Sequence, residues 1–123
     1  SNTTASSTSS SSSLGQQIAD FAVQYVGYPY VYGGNSLTNG VDCSGFTQWV
    51  YRQNGISIPR TSSEQRAAAK KVVSLSELQV GDILWRSGHV GIYIGNGQYV
   101  HAPHTGDVVK VGPVQSGMIY VRR

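Results

Sequence analysis

The chain is poor in cysteine, in charge and in long apolar runs. One cysteine, one methionine and two phenylalanines occur in 123 residues, and only 12% of residues are charged. A lone cysteine excludes an intrachain disulfide. A net charge of only +3, with the basic residues scattered, excludes the clustered groove that nucleic acid needs. No stretch approaches the roughly 18 apolar residues of a membrane span, so none is expected. No signal peptide is visible either, so any export signal is expected upstream of this sequence.

Serine, threonine and glycine are abundant instead. Residues 1–13, SNTTASSTSSSSS, include eleven Ser or Thr. Such a stretch cannot bury enough apolar surface to offset its ordering entropy, so residues 1–13 are expected to be a disordered linker. Residues 14–123 are then one domain with a modest core. The low charge and the tether point to a secreted module joined to further domains upstream.

The first half of that domain reads as helical. Leu14, Ile18, Phe21, Ala22, Tyr25 and Val26 fall on one helical face, with Gly27 as the stop. YPYVYGGNSLTNG is a loop by its Gly, Pro and Asn content. Asp42 can cap a helix starting near Cys43, which carries Phe46, Trp49 and Val50 on one face and ends at Asn54-Gly55. Thr61 and Glu64 fit a capping box for a short helix through AAAKK, and Ser74 and Glu77 repeat the spacing. From Ile83 onward the pattern changes to strands: ILW, HVGIYIG, QYVHA, DVVKV and MIYVRR. Helices followed by an antiparallel sheet of about five strands define an α+β fold.

The stretch HVGIYIGNGQYVHA holds His89 and His101, and its register decides whether they meet. A two-residue Asn96-Gly97 turn pairs residues whose numbers sum to 193 and puts the histidines on opposite faces. A three-residue Gly95-Asn96-Gly97 loop gives sums of 192. Val90, Ile92, Ile94, Val100 and Ala102 then share one face, and His89, Gly91, Tyr93, Tyr99 and His101 share the other. A slip by one residue turns each apolar set outward, so burial selects the second register. His101 then lies opposite Gly91 and diagonal to His89, with the glycine leaving room between the imidazoles.

A cysteine in a helix's first turn feels the field of the unsatisfied N–H groups, and an adjacent imidazolium adds to it. Together these are expected to lower the thiol pKa. The thiolate is a nucleophile, a histidine supplies the base, and a second polar group fixes that histidine's tautomer. Backbone N–H groups at the same helix start can stabilise an oxyanion. A lone cysteine among apolar neighbours is ordinarily inert core. The paired-histidine face shifts the reading to catalysis.

The stretches YPYVYGG, VDCSGF, IPRTSSEQ, VGDILW, HVGIYIGNGQYVHAP and YVRR occur in that order. In this the chain resembles the NlpC family of bacterial cell-wall cysteine endopeptidases, a branch of the papain-like superfamily, from Leu14 onward. The resemblance implies a papain-like fold with Cys43 as nucleophile, His89 as base and His101 as orienting residue. Tyr30 matches a tyrosine that helps bind the oxyanion, and Asp42 and Ser44 flank the nucleophile where the groove is lined. Arg60 matches a common position for which structural and functional roles are both open. Trp85 walls the groove or packs, packing being the safer reading. His104 departs from the pattern and reads as an exposed loop residue.

The implied substrate is the stem peptide of peptidoglycan, cut between γ-linked D-glutamate and meso-diaminopimelate or lysine by a secreted or wall-associated monomer without metal or cofactor. A papain-like amidase or acyltransferase would use the same Cys-His pair. A zinc-binding module using Cys43, His89, His101 and His104 is a further alternative, weakened by the lack of a short ligand pair.

Overall fold

Ile18 and Ala22 recur at helical spacing, and in the computed structural model, which describes residues 10–36 and 40–122, they are buried on helix α1 (Ser10–Val23). The helix starts four residues earlier than expected: Ser10–Ser13, assigned to the linker, are helical. Once a buried face has nucleated a helix, each added residue fixes only one more pair of dihedrals, and serine tolerates this. The rest of the expected linker, residues 1–9, lies outside the described residues. At its other end α1 stops at Val23, and the chain turns through Gly27 at φ 103°.

After the short antiparallel pair β1 (Asn35–Ser36) and β2 (Gly40–Val41) comes helix α2 (Cys43–Gln53). Asp42 caps it by accepting from the Gly45 N–H, and Asn54 ends it, followed by Gly55 at φ 85°. Phe46, Val50 and Tyr51 form its buried face. The Thr61–Glu64 capping box opens helix α3 (Ser62–Ala68). That helix ends before the lysines because Lys71–Val73 form strand β3, paired with the last strand. The Ser74–Glu77 box opens only a 3-10 turn, Leu75–Glu77.

The remaining strands are β4 (Ile83–Arg86), β5 (His89–Gly95), β6 (Gln98–His101), β7 (Lys110–Pro113) and β8 (Ile119–Arg122). They form one antiparallel sheet in the order β3-β8-β4-β5-β6-β7. The expected α+β class holds, with one strand more than the expected five. The extra strand, β3, has three residues, two of them exposed, on the sheet edge. It is defined by its partner rather than by its own pattern.

One sheet face packs on the helices. Ile83, Val90, Ile92, Val100 and Val121 join Ile18, Ala22, Phe46 and Val50 in the main core. The other face carries a smaller cluster of Leu84, Tyr99 and Met118. The β5–β6 hairpin pairs Ile92 with Val100 and Tyr93 with Tyr99, the expected sum of 192. Nearer the turn the register shifts, and Gly95 rather than Ile94 faces Gln98. Asn96 and Gly97 both have positive φ, 56° and 73°, as a two-residue type I′ turn requires. A bulge between Tyr93 and Gly95 absorbs the extra residue. The turn is thus the two-residue one, while the body keeps the register that burial demands.

Helix α1 reaches the sheet through a backbone contact. A Cβ on Gly15 would stand 2.2 Å from the Val80 carbonyl oxygen, and one on Gly81 would stand 2.5 Å from the Gly15 Cα. The Tyr51 hydroxyl donates to the Gly81 carbonyl and closes the same joint. Gly15→Ala is therefore expected to destabilise the domain by about 1–3 kcal/mol through overpacking. A urea midpoint equal to wild type would show that α1 does not rest on Val80.

Candidate active site

The β5–β6 register brings the two histidines together. His89 Nε2 and His101 Nδ1 are 2.8 Å apart, with ring centroids separated by 5.0 Å. His89 is buried and His101 is half-buried. Gly91 does make room here, but the side chain that occupies it is Tyr99. A Cβ on Gly91 would lie 2.3 Å from Tyr99 Cδ2. Tyr99 stacks on His101 at 4.3 Å and stands edge-on to His89 at 6.2 Å.

Cys43 opens α2 and is half-buried against the main core. Its thiol lies against the start of β5, where Sγ donates to the Gly88 carbonyl oxygen at 3.8 Å and the Val90 N–H acts on the sulfur. His89 stands between those two residues. The phenol of Tyr30 is in the same field, and burial, followed by the charges of Cys43 and Asp42, raises its pKa. The Tyr30 backbone is held by a bridge to Val41 and by donation to the Asp107 carbonyl at 2.9 Å.

Asp42 is bound on all sides. Besides capping Gly45 at 2.7 Å, it accepts from the Gly33 N–H at 3.1 Å. Arg60 grips both carboxylate oxygens, Nη1 to Oδ1 and Nη2 to Oδ2, each at 3.1 Å. The same guanidinium donates to Ser44 Oγ at 2.9 Å and to the Gly34 carbonyl at 3.2 Å. Arg60 thus ties the glycine loop, the cap and the first turn of α2 into one piece, a fork geometry that lysine could not reproduce.

The other two sequence candidates have partners of their own. Trp85 packs against the main core, with the Arg66 guanidinium 5.0 Å above its ring. His104 is exposed and pairs with Asp107 at 3.3 Å. Among the described residues no three His, Cys, Asp or Glu side chains are grouped to hold a metal ion, so the four proposed zinc ligands do not converge.

The NlpC/P60 family matches residues 27–122. The chain belongs to the NlpC/P60 family. Over 107 residues it is 46% identical to Protein P54 of Enterococcus faecium, covering 82% of this chain and 20% of that protein. Over 104 residues it is 38% identical to the bifunctional muramidase/DL-endopeptidase CwlT of Bacillus subtilis, covering 78% of this chain and 31% of that protein. The chain therefore spans a third or less of these two relatives. The crystal structure of the NlpC/p60 domain of the peptidoglycan hydrolase SagA superposes with a TM-score of 0.79 at 42% identity, covering 89% of this chain and 98% of that domain.

In this NlpC/P60 domain the site charges differ from the sequence expectation. Burial, aided by the Asp42 carboxylate, pushes the Cys43 thiol up against the opposing N–H groups of Val90, Ser44 and Cys43 itself. The helix-start field does not outweigh the cost of a half-buried thiolate. Burial, then the charges of His101 and Arg86, lowers His89 to about 4. Burial, then Lys110, lowers His101 to about 4, with Asp107 opposing. At neutral pH the resting site is a thiol beside two neutral imidazoles.

A histidine that titrates near 6.5 when unfolded and near 4 when folded binds fewer protons in the folded state between those values. Stability is then fully present above pH 6.5 and lost progressively as the pH falls to about 4. For His89 alone the loss is on the order of 2–3 kcal/mol. Urea unfolding at pH 7 and pH 4.5 is expected to show this loss in the wild type and a smaller one in His89→Gln. Equal losses in the two proteins would show that His89 is not buried neutral.

Proposed function

We propose that the domain is a peptidoglycan endopeptidase that cuts stem peptides between γ-D-glutamate and a diamino acid through an acyl-enzyme on Cys43. The observation that carries this reading is the 2.8 Å contact of His89 Nε2 with His101 Nδ1, with the Cys43 sulfur lying against Gly88 and Val90, the two chain neighbours of His89. Family membership supports the hydrolase class, and a relative named as a DL-endopeptidase supports the bond.

His89 Nε2 is taken by His101, which leaves Nδ1 with its lone pair for the thiol proton. His89 then carries its own proton on Nε2 and donates it to His101 Nδ1. As the thiol proton passes to His89 Nδ1, the sulfur attacks the carbonyl carbon and the C–O π electrons move to oxygen. The backbone N–H of Cys43 and the Tyr30 hydroxyl are the donors for that oxyanion. Collapse breaks the C–N bond, and the imidazolium returns its proton to the leaving amine. Water, deprotonated by His89, then hydrolyses the thioester.

Tyr30, Asp42 and Ser44 border the acyl side of the groove, with Arg60 holding the last two in place. The domain works as a monomer, outside the cell membrane, on a wall substrate. Among the described residues no helix is long and apolar enough to cross a membrane. The catalytic domain runs from helix α1 onward, four residues earlier than the expected start at residue 14, and the Ser/Thr-rich stretch before it is a tether to further domains.

The test is digestion of purified muropeptides by wild type and Cys43→Ala, with products read by mass spectrometry. Wild type is expected to release a fragment beginning with the diamino acid, and the variant to release none. Products cut at the sugar–peptide link would make the enzyme an amidase, and no cleavage of any wall substrate would overturn the hydrolase assignment.

A further inference from the structure

His101 has to hold one orientation while protons move beside it, and a single hydrogen bond does not secure that. The terminal torsion of a histidine is broad, so rotation of the ring exchanges Nδ1 for a carbon at little cost. The hydrogen bond to His89 also changes character at each turnover, when His89 becomes an imidazolium. A second, proton-independent restraint is needed, and the outer face of the sheet contains one.

Tyr99 lies on the same strand face as His101, two residues earlier, and is only 1% exposed. Its ring is nearly parallel to the His101 ring, 22° between planes, and nearly perpendicular to the His89 ring, 77°. It reaches this position by lying over Gly91, where even an alanine Cβ would overlap it. Leu84 and Met118 pack with it in the small second core. At the Nε2 edge of His101, a Cβ on Gly112, the β7 partner of Tyr99, would stand 3.1 Å away. Gly91, Tyr99, His101 and Gly112 thus run across β5, β6 and β7 as one slot, with a glycine at each end.

We propose that Tyr99 is the positioning residue of the histidine pair: its ring, wedged over Gly91, sets the plane of His101 and keeps His101 Nδ1 on His89 Nε2. This rests on the assignment of His89 as the base. Tyr99 acts through its ring face, not its hydroxyl, because the contact to His101 is a stack. The small core of Leu84, Tyr99 and Met118 then has a catalytic purpose beyond covering the sheet.

The experiment compares Tyr99→Leu and Tyr99→Phe with wild type, using long-range nitrogen–proton NMR of histidine-labelled protein together with muropeptide kinetics. In wild type both imidazoles are expected to carry their proton on Nε2. In Tyr99→Leu the His101 signals are expected to average between tautomers. Its kcat is expected to fall about 10- to 100-fold with KM unchanged, the scale of an ångström-level misplacement. Tyr99→Phe is expected to recover the single tautomer and most of kcat.

If Tyr99→Leu does not fold, Tyr99→Met, which keeps an apolar side chain of similar reach but has no ring, provides the same readings. Wild-type tautomers and kcat in Tyr99→Leu would overturn the proposal, as would a Tyr99→Phe variant as slow as Tyr99→Leu. Alkylation of Cys43 by iodoacetamide separates this proposal from the substrate assignment. If no muropeptide is cut, a slower alkylation in Tyr99→Leu that Tyr99→Phe restores still supports the clamp, and equal rates in all three proteins overturn it.

Discussion

A one-residue slip of β5 against β6 would send His89 and His101 to opposite faces of the sheet, and no other feature of the site could restore the pair. Two opposing demands set that register. The turn favours two residues with positive φ, which Asn96 and Gly97 supply. Burial of Val90, Ile92 and Val100 on the helix side demands the register that a two-residue turn alone would not give. The bulge between Tyr93 and Gly95 reconciles them by holding one residue outside the ladder. Bulges are features that re-aim side chains, and this one leaves both histidines on the face shared with Tyr99.

The site is assembled nearly without charge. The thiol is pushed up by burial and both imidazoles are pushed down by it, so at rest these three groups form no ion pair with one another. The carboxylate next to the cysteine, Asp42, is held by a bidentate arginine and by the backbone donors of Gly33 and Gly45. In the proposed mechanism charge separation is thereby deferred to the moment of attack, when thiolate and imidazolium appear together and stabilise each other. Arg60 also donates to Ser44 and to the Gly34 carbonyl, so the partner of the Asp42 carboxylate is the same group that fixes the loop and the helix start.

Much of this was legible in the sequence because it depends on local rules. The Asp42 cap, the Thr61–Glu64 box, the Asn54-Gly55 stop and the shared face of His89 and His101 all follow from spacing within a few residues or one hairpin. What was not legible depends on partners far along the chain. Lys71–Val73 become a strand only because β8 lies beside them, and α1 takes in Ser10–Ser13 only because its buried face is already fixed on the sheet. The sign of the thiol shift was misjudged because a sequence shows a helix start but not how deeply the sulfur is buried. Tyr99 was placed on the histidine face, yet its role needed the geometry of Gly91, which alternation alone assigns to the histidines.

The proposed nucleophile and the histidine proposed to orient its base are anchored to different cores. Cys43 belongs to α2, whose Phe46, Val50 and Tyr51 sit in the main core on the helix side of the sheet. His101, with the ring it stacks on, belongs to the outer side, where Tyr99 packs with Leu84 and Met118. The two meet only at the start of β5, where Gly88 and Val90 touch the sulfur and His89 lies between them. In the proposed mechanism, alignment is therefore a relation across the thickness of one sheet. A change in either core that leaves the fold intact can still shift one reacting group against the other. That constraint explains why three successive strands present glycine, tyrosine and glycine around His101: with the sulfur fixed from one side, the histidine pair has to be held as firmly from the other.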